Sequence, residues 1–250
     1  MVKKDFAVLL IFSLFVLLII QFTNQKSEAN SINTDYEVLV DNTSDVVEDL
    51  SLVVPNLKEK YNNKDIVAEL RISNTNYKTP VPQGSNNEYY LRRLADRSYG
   101  LNGSTYLDYR TKLDKSRVLI IYGHNSSKYD MPFKILENYY DEDYYEKHKY
   151  IELITSNGIK KYEVFSVYVE TSDFSYYTDV EFENNKEFLN HINKLKNKSF
   201  YDTDVSLNEN DNILILQACS THKKYQKNKR KFVLIISREV KEDEINEENN

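Results

Sequence analysis

The chain has very little cysteine, glycine, proline or tryptophan. Its 250 residues include one cysteine, five glycines, four prolines and no tryptophan. A single cysteine excludes an internal disulfide, so Cys219 is either an inert buried thiol or a reactive one. The lack of tryptophan makes stacking on a substrate ring less expected, although 21 tyrosines remain. The surroundings of Cys219 therefore decide whether the thiol is chemically active.

The sequence is acidic overall. The net charge is −6, and lysines and acidic residues are interspersed. No basic stripe of the kind that binds nucleic acid is present, so we predict no nucleic-acid partner. A phosphate-binding loop and a zinc-ligand cluster are also missing from the sequence, so we predict no metal or organic cofactor.

The first 22 residues predict a membrane anchor. Residues 6–22 are apolar apart from Ser13 and Gln21, and a helix of that length is about 25 Å long, enough for a thin bilayer. Lys3 and Lys4 predict that the N-terminus stays in the cytoplasm. A cleaved signal peptide is the alternative, but no convincing small-residue cleavage site follows. The predicted localisation is the cell membrane, with a single span and the main domain outside.

Three further segments follow the predicted anchor. Residues 23–45 are polar and predict a tether. Residues 46–240 have the length and apolar content of one folded domain. Residues 241–250 are rich in acidic side chains and predict a solvated tail.

Short apolar segments separated by polar turns run through the folded domain. They predict a mostly β fold, a closed β-barrel with added helices. The residues after the first strand, with Pro80 and Pro82, predict a loop. The predicted strands are 66–72, 89–91, 105–107, 118–121, 150–154, 162–169, 212–219 and 232–236. Helical spacing predicts short helices within 46–57 and further helices at 130–140, 141–148 and 182–195.

Two apolar strands end on residues that carry chemistry. Residues 212–219 predict a buried strand from which Cys219 emerges, and the loop that follows brings Arg230 next to it. Residues 117–124 have the same design and end on His124. A thiolate is the reactive form of cysteine, and a neighbouring cation lowers the cysteine pKa.

Other residues compete for the imidazole and cation roles. His148 lies in a charged segment, His191 lies on a predicted amphipathic helix, and His222 follows Cys219 by three residues. A neighbour on a flexible loop is poorly preorganised, which favours His124 over His222. Lys231 and Arg238 stay open as alternatives to Arg230, because a shift of one residue reverses the face of a strand.

The sequence resembles the sortases in segments 122–125, 131–136 and 216–219 and in the arginine that follows. Segments 87–91, 107–110, 162–165 and 201–203 resemble those of class B. The resemblance covers roughly residues 66–237. It implies a sortase-type barrel with N-terminal helices and a helix inserted before the cysteine strand. It also implies a cysteine transpeptidase that cleaves a C-terminal sorting motif after threonine and transfers the acyl group to a cell-wall amine.

The resemblance assigns roles to residues at matching positions. Cys219 corresponds to the nucleophile, His124 to the acid and base, and Arg230 to the group that holds the substrate backbone and the oxyanion. Asn87, Leu91 and Gln217 correspond to residues of the peptide groove; a turn asparagine, a core leucine and a solvent-facing glutamine are the alternatives. The sequence departs from the family pattern Thr-Leu-x-Thr-Cys, with Ile215 and Ala218 in place of the two threonines.

The implied partners are sorting-signal peptides of surface proteins, the amine of a peptidoglycan precursor, and a membrane through the N-terminal helix. Two alternatives stay open. In a hydrolytic thiol peptidase, water instead of an amine would resolve the thioacyl intermediate. In a catalytically weak peptide-binding module, the peptide would bind without forming a covalent adduct.

Overall fold

The computed structural model describes residues 48–241 and shows a mostly β fold with added helices. Eight strands form one sheet in the order β2-β1-β5-β6-β8-β7-β4-β3. Their bounds are β1 Ile66–Ile72, β2 Lys78–Pro82, β3 Tyr106–Leu107, β4 Val118–Tyr122, β5 Tyr150–Thr155, β6 Gly158–Glu170, β7 Ile213–Cys219 and β8 Phe232–Glu239.

This part of the chain also contains three α-helices and five 3₁₀ helices. The α-helices are α1 Val53–Lys60, α2 Glu142–Lys147 and α3 Asn185–Lys196. The 3₁₀ helices are Leu50–Leu52, Tyr89–Arg92, Lys134–Tyr140, Tyr176–Thr178 and Lys223–Tyr225. The helices before β1 and the helix before the cysteine strand β7 are confirmed.

The sheet curls until its two end strands nearly meet. The hydroxyl oxygens of Thr79 in β2 and Thr105 beside β3 are 3.2 Å apart, and the Thr105 hydroxyl also donates to the Pro80 carbonyl over 2.9 Å. All eight strands contribute apolar side chains to one buried cluster, which fills the interior. The fold is therefore a nearly closed eight-stranded barrel, as predicted.

A second buried cluster covers the outside of the barrel. Helix α3 packs Phe188, Ile192 and Leu195 onto the outer face of strands β4, β6, β7 and β8. The alternation along β7 divides its residues between the two clusters: Leu214, Leu216 and Ala218 face the interior, and Ile213 and Ile215 face outward. Cys219 follows the outward-facing set.

The secondary structure predicted from the sequence was wrong for two segments. The segment predicted as a loop contains strand β2, which among the strands of residues 48–241 pairs with β1 alone. An edge strand tolerates Pro80 and Pro82 because its outer side has no ladder to complete. The predicted strand 89–91 is the 3₁₀ helix Tyr89–Arg92, which begins where the Asn86 side chain accepts the N–H groups of Glu88 and Tyr89, each over 2.9 Å.

The predicted localisation, a single-pass membrane protein, is contradicted and is withdrawn. No helix within residues 48–241 combines the length and the apolar composition that crossing a bilayer requires. The segments predicted as an anchor (1–22) and a tether (23–45) lie outside the described residues, and so does the predicted tail apart from Lys241.

A buried carboxylate closes the C-terminal end of β6. Glu170 is 4% exposed and accepts the backbone N–H groups of Ser172 and Asp173 and the ammonium of Lys198, the last over 2.6 Å. Burial alone raises the pKa of this carboxyl, but these hydrogen bonds outweigh burial and lower the pKa to about 2. Because the pKa is lower in the folded chain, the carboxylate stabilises the fold at pH values above its ordinary pKa of 4.5. This contribution is lost as the pH falls towards about 2.

The Glu170→Gln variant is expected to unfold more easily at neutral pH, by on the order of 2 kcal/mol. The difference from the unmodified chain should shrink as the pH falls from 4.5 through about 2, because the native carboxyl then becomes neutral as well. Denaturant unfolding across that pH range measures it. Glu146→Gln, which removes an exposed ion pair with Lys149, is the matched control and should change little. A Glu170→Gln difference that is independent of pH would contradict this prediction.

Candidate functional site

The predicted thiol and imidazole lie at the ends of two neighbouring parallel strands. Strands β4 and β7 are paired with Tyr122 opposite Gln217, and the Gly123 N–H donates to the Gln217 carbonyl over 3.0 Å. Two residues further on, this register brings His124 beside Cys219. The Asn125 side chain donates to the Cys219 carbonyl over 2.9 Å, which ties the two strand ends together.

The Cys219 thiol is accessible from solvent. Cys219 is exposed and is paired across the sheet with Phe232 of β8. Within residues 48–241 the thiol makes no hydrogen bond and no disulfide. Partial desolvation raises the pKa of the thiol, and the charge of Lys231 acts in the opposite direction. The inert, fully buried alternative for this cysteine does not agree with its exposure.

His124 is held by a backbone carbonyl. Its Nε2 is 2.7 Å from the Leu91 carbonyl oxygen, in the 3₁₀ helix Tyr89–Arg92. Gly103 packs so closely here that a methyl group on its α-carbon would lie 2.9 Å from His124 Cδ2. The imidazole is therefore held by backbone on one edge of its ring.

The loop after Cys219 is clamped to the 3₁₀ helix Lys134–Tyr140. Glu137 accepts the Thr221 N–H over 2.6 Å and the Thr221 hydroxyl over 2.5 to 2.6 Å. The hydroxyl groups of Tyr140 and Ser220 are 2.8 Å apart, and the Ser220 N–H donates to the Lys231 carbonyl over 3.0 Å. These contacts hold the backbone that follows the thiol.

The candidate cations Arg230 and Lys231 differ in what their charged groups contact. The Arg230 guanidinium lies 4.4 Å from the ring centre of Phe174 and 6.0 Å from that of Phe232, the residue paired with Cys219. It makes no ion pair or hydrogen bond with the rest of the described chain. Lys231 instead donates its ammonium to the Asn228 carbonyl over 3.1 Å.

Arg238 lies at the end of the β7–β8 pair that is far from Cys219. It is opposite Ile213, at the start of β7, whereas Cys219 ends that strand. Six residues of strand separate the two positions by roughly 20 Å. Arg238 also forms an ion pair with Glu163 at 3.0 Å. Arg238 is thus distant from the thiol.

Each of the three predicted groove residues already makes one hydrogen bond within the chain. The Asn87 side-chain oxygen accepts the Tyr109 N–H over 3.1 Å, and the Gln217 side-chain oxygen accepts the Tyr177 hydroxyl over 2.9 Å. Leu91 is 38% exposed and carries the carbonyl that holds His124. The side-chain NH₂ groups of Asn87 and Gln217 keep their donors for a ligand.

The two departures from the family pattern are core residues. Ile215 is buried under α3 on the outer face, and Ala218 is buried in the barrel interior. Each fills an apolar environment in which a threonine hydroxyl would need its own hydrogen-bond partner.

The other three histidines occupy structural environments. His148 contacts the Ser73 carbonyl at 3.0 Å. His191 is buried against Tyr176, and burial lowers its pKa to about 4. The Nδ1 of His222 accepts the Lys224 N–H over 3.2 Å.

The sequence reasoning missed Gly103 and the Glu137 clamp. The signal for the first was present: Asn102-Gly103 is a turn pair in a chain with only five glycines. No pattern pointed to Glu137, because its partner Thr221 is 84 residues away along the chain.

Comparisons with known proteins identify the family to which the chain belongs. Residues 70–237 match the family described as Sortase domain. "Sortase B" of Staphylococcus aureus is 35% identical over 158 residues, which are 63% of this chain and 64% of that protein. "Sortase B" of Listeria monocytogenes is 36% identical over 170 residues, which are 66% of this chain and 67% of that protein.

A solved structure extends the comparison to the fold. A Staphylococcus aureus sortase B–substrate complex has a TM-score of 0.69 and 28% identity, and the match covers 88% of this chain and 98% of that chain. The matched segment spans slightly less than two thirds of the Staphylococcus aureus relative. On the family match and these relatives, the chain belongs to the sortase family, in class B.

Proposed function

We propose that this chain is a cysteine transpeptidase. It cleaves a C-terminal sorting motif, of the Asn-Pro-x-Thr-Asn or Pro-x-Thr-Gly kind, after its threonine. It then transfers the acyl group to an amine of the cell wall or its precursor. The observation that carries the proposal is the parallel pairing of β4 with β7, because His124 follows the first strand and the exposed Cys219 ends the second.

The reaction has two halves in which bonds and protons balance. The Cys219 sulfur forms a bond to the threonine carbonyl carbon, the peptide C–N bond breaks, and His124 gives its proton to the departing amine. In the second half an incoming amine attacks the thioester, His124 takes its proton, and the sulfur leaves as thiolate. Raising the thiol pKa makes the neutral thiol more populated, so proton transfer to His124 contributes to forming the nucleophile.

Oxyanion stabilisation falls to Arg230 in this proposal. The two amides that follow Cys219 are already engaged, Ser220 with the Lys231 carbonyl and Thr221 with Glu137. A guanidinium offers five N–H donors in a planar fork and stays charged at every relevant pH. Arg230 uses none of them within residues 48–241, so they are available for the developing charge.

A peptide substrate is supported by the relatives and by the site itself. The Staphylococcus aureus structure is a complex of sortase B with a substrate. In this chain Leu91 is exposed and its carbonyl contacts His124. Gln217 lies two residues before Cys219, and the side-chain NH₂ groups of Asn87 and Gln217 keep their donors. The three residues provide one apolar contact and two donors for an extended peptide.

Product analysis tests transfer against hydrolysis. The full-length chain is incubated with sorting-motif peptides, with and without a short oligoglycine, and the products are identified by mass spectrometry. Cleavage after threonine, with the new amide replacing the free acid as oligoglycine is added, supports the transpeptidase. Free acid alone at every oligoglycine concentration would identify a hydrolytic thiol peptidase. Peptide binding without cleavage would identify a binding module.

A further inference from the structure

We infer that Nδ1 of His124 is the nitrogen that exchanges protons with Cys219 and the substrate amines, and that Gly103 and the Leu91 carbonyl fix the ring in this orientation. The inference rests on the proposed function. It assigns a positioning role to Gly103, a residue that has no side chain to contribute.

The Leu91 contact determines which ring nitrogen carries a proton. A carbonyl oxygen only accepts hydrogen bonds, so a nitrogen 2.7 Å from it must be the donor. Nε2 is therefore protonated in both the neutral and the charged ring. In the neutral ring the lone pair is then on Nδ1, which leaves Nδ1 as the site that gains and loses a proton.

The sheet order determines which way Nδ1 faces. Strand β4 lies between β3 and β7. Gly103 and Leu91 lie on the β3 side, because the segment from Gly103 leads into β3 and its neighbour Ser104 donates its N–H to the Tyr90 carbonyl over 3.1 Å. Cys219 ends β7, on the opposite side.

The ring edges match these two sides. Cδ2 and Nε2 form one edge of the imidazole, and both are held on the β3 side by Gly103 and Leu91. The opposite edge carries Nδ1 and therefore faces the β7 side, where Cys219 lies. The contacts and the topology thus agree on Nδ1.

Gly103 is required at this position for two reasons. Its φ of +56° is a conformation that residues with a side chain seldom adopt. A β-carbon would also meet the Leu91 carbonyl oxygen at 2.6 Å, the Tyr90 carbonyl oxygen at 3.0 Å and His124 Cδ2 at 2.9 Å. Two of these atoms belong to backbone, so the imidazole and its acceptor must separate to make room.

The direct test is the protonation state of the ring. Long-range ¹H–¹⁵N spectra of the full-length chain, with His124 assigned from a His124→Gln variant, are recorded in mildly alkaline buffer, where an ordinary imidazole is neutral. We expect the tautomer with the proton on Nε2. A neutral His124 with its proton on Nδ1 would overturn the inference. The tautomer is measured without turnover, so its result does not depend on the proposed function. A failure of the proposed function would appear separately, as the absence of a thioacyl adduct with any sorting peptide.

The kinetic test compares two glycines of one loop. Gly103→Ala is expected to lower kcat for acyl transfer on the order of 100-fold, as expected for a misplaced catalytic group, with the peptide KM little changed. Gly100→Ala is the matched control: the three atoms nearest to its new β-carbon, from 2.7 Å, all belong to the partly exposed Leu94 side chain and none to backbone. Equal losses in both variants would overturn the positioning role. If Gly103→Ala fails to fold, as judged by circular dichroism, the tautomer measurement on the unmodified chain still decides.

Discussion

Replacing Cys219 by alanine is expected to abolish cleavage of sorting-motif peptides, with a loss of at least about 10⁴-fold in kcat. The nucleophile is lost, and no other cysteine exists in the chain to replace it. Peptide affinity should be retained, because the thiol makes no hydrogen bond within residues 48–241 and its removal leaves the strand pairing with Phe232 intact. Single-turnover cleavage and calorimetric peptide binding measure the two effects.

His124→Ala should produce a comparable loss of cleavage, since the residues of such a pair act as a unit. His222→Ala is the matched control. His222 is only three residues from Cys219, but its ring is packed against Tyr140 and accepts the Lys224 N–H. Its replacement should leave a rate close to that of the unmodified chain. Cleavage that survives Cys219→Ala would contradict the account, as would a larger loss from His222→Ala than from His124→Ala.

Replacing Arg230 by alanine is expected to lower kcat by about 10²- to 10³-fold, the usual effect of removing an oxyanion donor. The two backbone amides after Cys219 cannot compensate, because Lys231 and Glu137 already accept them. Arg230→Lys should recover only part of the loss, since an ammonium keeps the charge without the planar fork. Steady-state kinetics with a saturating amine measure these changes.

Two neighbouring lysines provide the controls for Arg230. Lys231→Ala removes a charge that favours the thiolate, and we expect a loss of less than about tenfold, as for a partly screened charge. Lys229→Ala removes an exposed charge with little effect. If Lys231→Ala reduced kcat more than Arg230→Ala, Lys231 would be the active-site cation and the assignment of Arg230 would be wrong.

The strand that ends on Cys219 was predictable because its information is local. Four consecutive apolar residues in β7 are buried on both faces, and the run ends where the chain becomes polar. The same holds for β4 and for the hairpin of β5 and β6, whose Asn157-Gly158 turn was visible in the sequence. Local periodicity therefore predicted most strands of the barrel and the helix before β7, and the family resemblance implied the same architecture.

The errors arose where long-range pairing overrode local preference. Pro80 and Pro82 argue against a strand in isolation, and only the position of β2 at the sheet edge makes them acceptable. Tyr90 has high β-propensity, but its hydroxyl donates to Asp65 over 2.6 Å and its ring is fully buried, and both fit the 3₁₀ helix. The sequence around Pro80 does not reveal the pairing of β2 with β1, and the sequence around Tyr90 does not reveal the contact with Asp65.

The candidate site residues also differ in how much of their placement the sequence alone could predict. Cys219 and His124 were predicted from their positions at the ends of apolar strands. The distance of Arg238 from the thiol could not be predicted, because it depends on the register of β7 and β8, which puts Arg238 opposite Ile213. The Leu91 carbonyl that holds His124 is a backbone atom, which no side-chain pattern reveals.

Intact-protein mass spectrometry tests the central claim most directly. The full-length chain is mixed with a sorting-motif peptide in the absence of added amine, quenched with acid, and mapped by proteolysis. The account predicts a mass increase equal to the acyl part of the peptide, located on Cys219, which disappears when an oligoglycine is added and is replaced by the amide product. A folded chain that binds the peptide but acquires no acyl mass at Cys219 would contradict it.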